Sequence, residues 1–116
     1  MGWYDVSDAS DNYEILWLGY NEKPNFDRIW GWLKLADGRH FAFYGKRGRN
    51  LNFKLHEDEG SWWGGNAQDQ MKARLMVSKQ KGFKEIELKK YIEMVPTFVD
   101  DLEAGLTMAI IADNLN

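Results

Sequence analysis

The ten residues Phe41-Ala42-Phe43-Tyr44-Gly45-Lys46-Arg47-Gly48-Arg49-Asn50 hold three aromatic rings, two glycines and three cations. Lys and Arg beside aromatic faces suit a surface that meets phosphate and sugar. The same residues also describe a half-buried strand that ends in a solvated basic hairpin. Other potential chemistry is sparse. His40 and His56 are the only histidines, and neither stands in a metal-ligand spacing. His56 precedes Glu57, Asp58 and Glu59, which reads as a solvated acidic loop rather than a cation site. The absence of cysteine excludes a disulfide scaffold and a thiolate zinc site. Gly45-Lys46-Arg47-Gly48 is too short for a phosphate-binding loop, and no nucleophile elbow or zinc helix occurs. The expectation is a non-catalytic domain without metal or cofactor.

The elements that position the aromatic and basic stretch follow from periodicity and turn chemistry. After a polar lead-in over residues 1–12, Tyr13 to Tyr20 reads as a first strand, and Asn21-Glu22-Lys23-Pro24-Asn25 as a loop. In the second strand Ile29, Gly31, Leu33 and Leu35 share one face, while Trp30, Trp32 and Lys34 share the other. Asp37-Gly38 then signals a hairpin into a third strand, His40 to Tyr44, with His40, Ala42 and Tyr44 on one side and Phe41 and Phe43 on the other. The turn over 45–49 carries two glycines that permit positive φ and close approach of a ligand. Leu51 to Leu55 alternates as a fourth strand with Leu51, Phe53 and Leu55 inward.

Beyond the acidic break at 57–65, Trp62-Trp63 reads as a pair folded over the end of the core. Asn66 is a helix N-cap, and the helix runs to about Lys81 with Ala67, Met71, Leu75 and Ser78 on one stripe and Gly82 as its stop. Residues 83–88 read as a short extended piece returning to the sheet. Pro96 opens a last helix with acids in its first turns and Phe98, Leu102, Leu106, Ala109 and Ile110 along its apolar stripe. Val99, Met108 and Ile111 widen that stripe, so this helix either packs deeply or also meets a partner. The fold class is α+β: an antiparallel sheet of about four strands, a packed helix, and a C-terminal helix. With 116 residues the chain suits one domain, with a body over 13–91 and an acidic amphipathic helix over 92–116 packed on it or extending it.

The net charge of -3 argues against a nucleic-acid binder, but the distribution argues the other way. Six acids and one base fall in residues 1–27, and five acids with no base in 91–116. Arg39, Lys46, Arg47, Arg49 and Lys54 occupy 38–56 without an acid, and seven bases meet two acids in 72–90. A fold that gathers this middle on one face has a locally positive surface. No apolar run has the length of a membrane span, and the acidic N-terminus has no signal-peptide core, so a cytoplasmic protein is expected.

From Tyr13 to about Tyr91 the chain resembles the WGR domain, a module named for a Trp-Gly-Arg motif that ends a strand. Phe43-Tyr44-Gly45-Lys46-Arg47-Gly48 occupies the motif's place, and Ala67 and Lys81-Gly82-Phe83 match the start and end of the family's helix. Tyr44 stands for the Trp, Lys46 for the Arg, and Arg47 for a hydrophobic residue; only the glycines are literal. The resemblance implies a non-catalytic module that contacts DNA ends or backbone, with Tyr44 stacking and Lys46 neutralising a phosphate. Lys keeps the charge and loses Arg's bidentate fork, so binding is expected to follow the backbone with little sequence selectivity, DNA ahead of RNA. The candidate site is Tyr44, Gly45, Lys46, Arg47 and Arg49, supported by Arg39 and Lys54 and by Lys72 or Arg74 from the helix. The alternative is a protein-interaction or accessory module that uses the basic turn or the C-terminal helix.

Overall fold

Apolar residues on both faces of the central strands require cover on both sides, and the helices supply it. The computed structural model describes residues 12–23, 27–57 and 66–115. The lead-in before Asn12, Pro24-Asn25 and the Trp62-Trp63 pair lie outside the described residues. Strands β1 (Tyr13–Asn21), β2 (Arg28–Leu35), β3 (His40–Lys46) and β4 (Asn52–His56) are followed by helix α1 (Ala67–Gln80), strand β5 (Lys84–Glu85), and helices α2 (Leu88–Met94) and α3 (Phe98–Leu115). The sheet is antiparallel throughout, in the order β4-β3-β2-β1-β5. The short fifth strand is the extended piece expected at 83–88. Among the described residues no helix is long and apolar enough to cross a membrane.

The Asp37-Gly38 turn sets the central register, with Gly38 at φ 99 as a tight hairpin requires. Lys34 faces His40, Trp30 faces Tyr44 and Arg28 faces Lys46. Period-2 alternation then sorts the side chains into two cores. Trp17, Trp30, Trp32 and Ala42 pack with Met71 of α1 and with Phe83. On the opposite face Leu18, Ile29, Leu33, Leu35, Phe41 and Phe43 pack with Tyr91 and Val95 and with Phe98, Leu102, Leu106 and Ile110 of α3. Among the described residues the sheet lies between helices, with one helix on the tryptophan face and two on the other.

The stop of α1 is a Schellman motif. Gly82 adopts φ 105, its N–H donates to the Lys79 carbonyl, and the Phe83 N–H donates to Ser78. At the other end the Asn66 side chain accepts from the Asp69 N–H, as an N-cap does. The short α2 was not expected from the sequence. Its seven residues have no side-chain N-cap, and it is held by Tyr91, buried against Phe98 with ring centroids 4.8 Å apart. The C-terminal helix proves to be core. At about 1.5–3 kcal/mol for each large buried apolar side chain, Phe98, Leu102, Leu106 and Ile110 together contribute an amount comparable with the roughly 5–15 kcal/mol that holds a whole domain folded.

Candidate functional site

The register places Arg28, Trp30 and Trp32 of β2 on the same face as His40, Ala42, Tyr44 and Lys46 of β3, under α1. Helical spacing brings Arg74, Val77, Ser78 and Lys81 over the same end of the sheet. Between them lies a cavity of about 210 Å³ lined by Arg28, Trp30, Tyr44, Gly45, Arg74, Val77, Lys81 and Phe83, among others. Its walls are aromatic and aliphatic and its charged groups are all cations. Tyr44 is 38% exposed, so one part of its ring is open to a ligand. Lys46, beside Gly45 and opposite Arg28, flanks the opening. Among the described residues no carboxylate forms an ion pair with Lys46, Arg74 or Lys81.

The position of Lys81 is fixed from two directions. The Schellman turn ends α1 there, and buried Asn21 at the end of β1 donates from Nδ2 to the Lys81 carbonyl at 3.1 Å. The Asn21 Oδ1 in turn accepts from the Lys23 N–H at 3.3 Å. Gly45 is needed for space rather than for φ, since a Cβ there would sit 3.1 Å from the Asn50 carbonyl oxygen. Gly48, at φ 73, is the turn glycine with the left-handed backbone.

Of the residues proposed from sequence, Tyr44, Gly45 and, from α1, Arg74 line the cavity; Lys46 adjoins it in the register opposite Arg28, and Lys72 lies outside the lining. Lys54 faces Ala42 on edge strand β4, on the same face but away from the cavity. Arg49 is exposed on the turn, where its N–H donates to the Lys46 carbonyl. Arg47 projects away from Lys46. Its Nε lies 3.8 Å from Asp27, its Nη1 donates to the Tyr20 hydroxyl at 3.4 Å, and its N–H donates to the Asp27 carbonyl. The Asp27 charge, then Tyr20, raise the Arg47 pKa above its ordinary value. Tyr20 donates to the Asp27 carboxylate, and burial followed by that carboxylate raises its pKa.

Arg39 lies at the other end of β3 and serves the fold. Its guanidinium bridges Asp37 and Asp113, each at 2.8 Å, tying the hairpin to the end of α3. Burial opposes its charge, but the two carboxylates outweigh burial and raise its pKa. These contacts turn Arg39 and Arg47 away from the cavity, because each has an internal carboxylate to satisfy.

The histidines are structural neighbours. His40 and His56 face each other across β3 and β4. Trp32 Nε1 donates to His40 Nδ1 at 2.9 Å, and His56 Nδ1 lies 3.1 Å from Gln70 Oε1. Gln70 Nε2 donates to the Glu57 carbonyl, which orients the amide and makes His56 Nδ1 the donor in that pair. Among the described residues no three His, Asp or Glu side chains converge as a metal site would need.

Sequence reading missed Arg28, Trp30 and Lys81 as site residues. Arg28 could have been found by counting back from the Asp37-Gly38 turn, which puts it opposite Lys46; Lys81 follows from Arg74 by two helical turns. A larger cleft of about 760 Å³ lies beside β5, but Glu22, Glu85 and Glu87 there offset Lys23, Lys84 and Lys90, so it presents no single sign of charge. No protein-family model matches this chain, and neither a curated protein nor a solved structure matches it significantly.

Proposed function

We propose that this chain is a small non-catalytic, WGR-like module that binds nucleic acid along its backbone, DNA ahead of RNA, on the α1 face of the sheet. One observation carries the reading: the exposed ring of Tyr44 stands at a cavity whose charged lining, Arg28, Arg74 and Lys81, is wholly cationic, with Lys46 beside it. The net charge of -3 is a sum over the whole chain, whereas the lining of the cavity carries Arg28, Arg74 and Lys81 and no acid. Cations held near a phosphate chain gain affinity by releasing its counterions, and a flat ring adds sequence-tolerant stacking. The WGR resemblance, which pairs Tyr44 with Lys46, and the cysteine-free composition suited to the cytoplasm agree with this reading.

The experiment is fluorescence anisotropy of short labelled DNA and RNA across a salt series. The wild-type chain is expected to bind with affinity that falls steeply with salt, and Lys46→Glu/Arg74→Glu to lose most of that affinity while remaining folded by circular dichroism. Binding indifferent to salt, or indifferent to the double reversal, would overturn the proposal.

A further inference from the structure

Three features of the cavity bear on which part of a nucleic acid enters it. The first is its lining. Trp30, Val77, Phe83 and Tyr44 present apolar surface, whereas a phosphate seat needs convergent donors. The second is polarity. The helix end at the cavity is the C-terminus of α1, which carries the negative end of the helix dipole and therefore disfavours an anion held deep inside. The cations Arg28, Arg74 and Lys81 have long stems that let charged heads meet phosphates at the opening while their methylenes line the wall. The third is size. At about 210 Å³ the depression has room for one small flat group such as a heterocyclic base.

Resting on the nucleic-acid reading above, we propose that the cavity receives one unpaired nucleobase, so that the module selects single-stranded over duplex nucleic acid. The base stacks against Tyr44 and enters between Trp30 and Val77, and its flanking phosphates stay outside with Lys46, Arg28, Arg74 and Lys81. A base within a duplex reaches the cavity only after unpairing and unstacking, which lowers duplex affinity.

The test compares strands of equal charge. A short fluorescent oligothymidylate, its fully abasic counterpart and a blunt duplex of the same length are titrated by anisotropy, with an oligouridylate and its abasic form run alongside to tell deoxyribose from ribose. Base-bearing single strand is expected to bind about tenfold or more tightly than the abasic strand, and more tightly than the duplex. Val77→Trp, which fills the cavity from an exposed helix position, is expected to abolish the preference for bases while keeping the salt dependence. Tyr44→Ala, at an exposed position outside both cores, is expected to lower affinity for the base-bearing strand toward that for the abasic strand. Equal affinity for base-bearing and abasic strands, with salt dependence intact, overturns the base pocket and leaves the backbone-binding function standing. Duplex bound as tightly as single strand also overturns the base pocket. Binding to none of the probes overturns both proposals.

Discussion

Replacing Lys46 with Gln removes one of four cations around the cavity, with Arg28, Arg74 and Lys81 remaining, and touches neither core. For a single strand each cation that neutralises a phosphate contributes about 0.7 to the slope of log affinity against log salt, so four contacts give a slope of about -2.8 and three about -2.1. Between about 50 and about 200 mM salt the wild-type affinity then falls about 50-fold and that of Lys46→Gln about 18-fold. The informative control is Arg39→Gln. It removes the same charge from the opposite end of β3, where Arg39 is committed to Asp37 and Asp113, so its slope is expected to stay at the wild-type value. The assay is anisotropy of a labelled oligothymidylate at several potassium chloride concentrations. If Arg39→Gln and Lys46→Gln flatten the slope equally, the surface is a diffuse positive field and the assignment of particular cations fails.

Other expectations concern the frame that holds the site. A Cβ at Gly31 would lie 2.0 Å from the Phe43 ring, which is fully buried, so Gly31→Ala is expected to lose about 1–3 kcal/mol in urea unfolding, and an unchanged midpoint would contradict the packing described. Truncation after Met94 removes Phe98, Leu102, Leu106 and Ile110 from the core, and is expected to abolish the cooperative thermal transition rather than release a folded module. Burial first, and Tyr20 second, raise the Tyr91 pKa well above the ordinary tyrosine value. The folded state therefore keeps that proton longer than the unfolded chain. Its share of stability is complete below about pH 10 and is lost as pH rises beyond it, so Tyr91→Phe should shallow the alkaline loss of stability seen by circular dichroism.

Much of this architecture follows from local chemistry that is visible in the sequence. Asn66 and Gly82 bracket α1 because a capping side chain and a left-handed glycine each satisfy helix ends without outside help. Asp37-Gly38 sets the register that brings Arg28 opposite Lys46. The alternation of Trp30 and Trp32 with Ile29 and Leu33 already separates the two cores. What stayed hidden depends on tertiary partners. Helix α2 has weak local signals and exists because Tyr91 finds a pocket against Phe98 and Tyr20. The cation cluster at residues 45–49 reads as one patch, yet Lys46 and Arg47 part because Asp27 and Tyr20 capture the second. Arg39 likewise looks like a ligand contact until Asp113 arrives from the far end of the chain. Charge runs show which cations are present; only the fold shows which carboxylates reach them.

Amide chemical-shift mapping of the isotope-labelled chain during titration with a short oligothymidylate shows which surface takes up the nucleic acid. Shifts are expected at residues 28–30, 44–46 and 74–83, with the amides of α3 unmoved. Shifts concentrated on α3 or on the cleft beside β5, or no shifts at all, would contradict the proposed site.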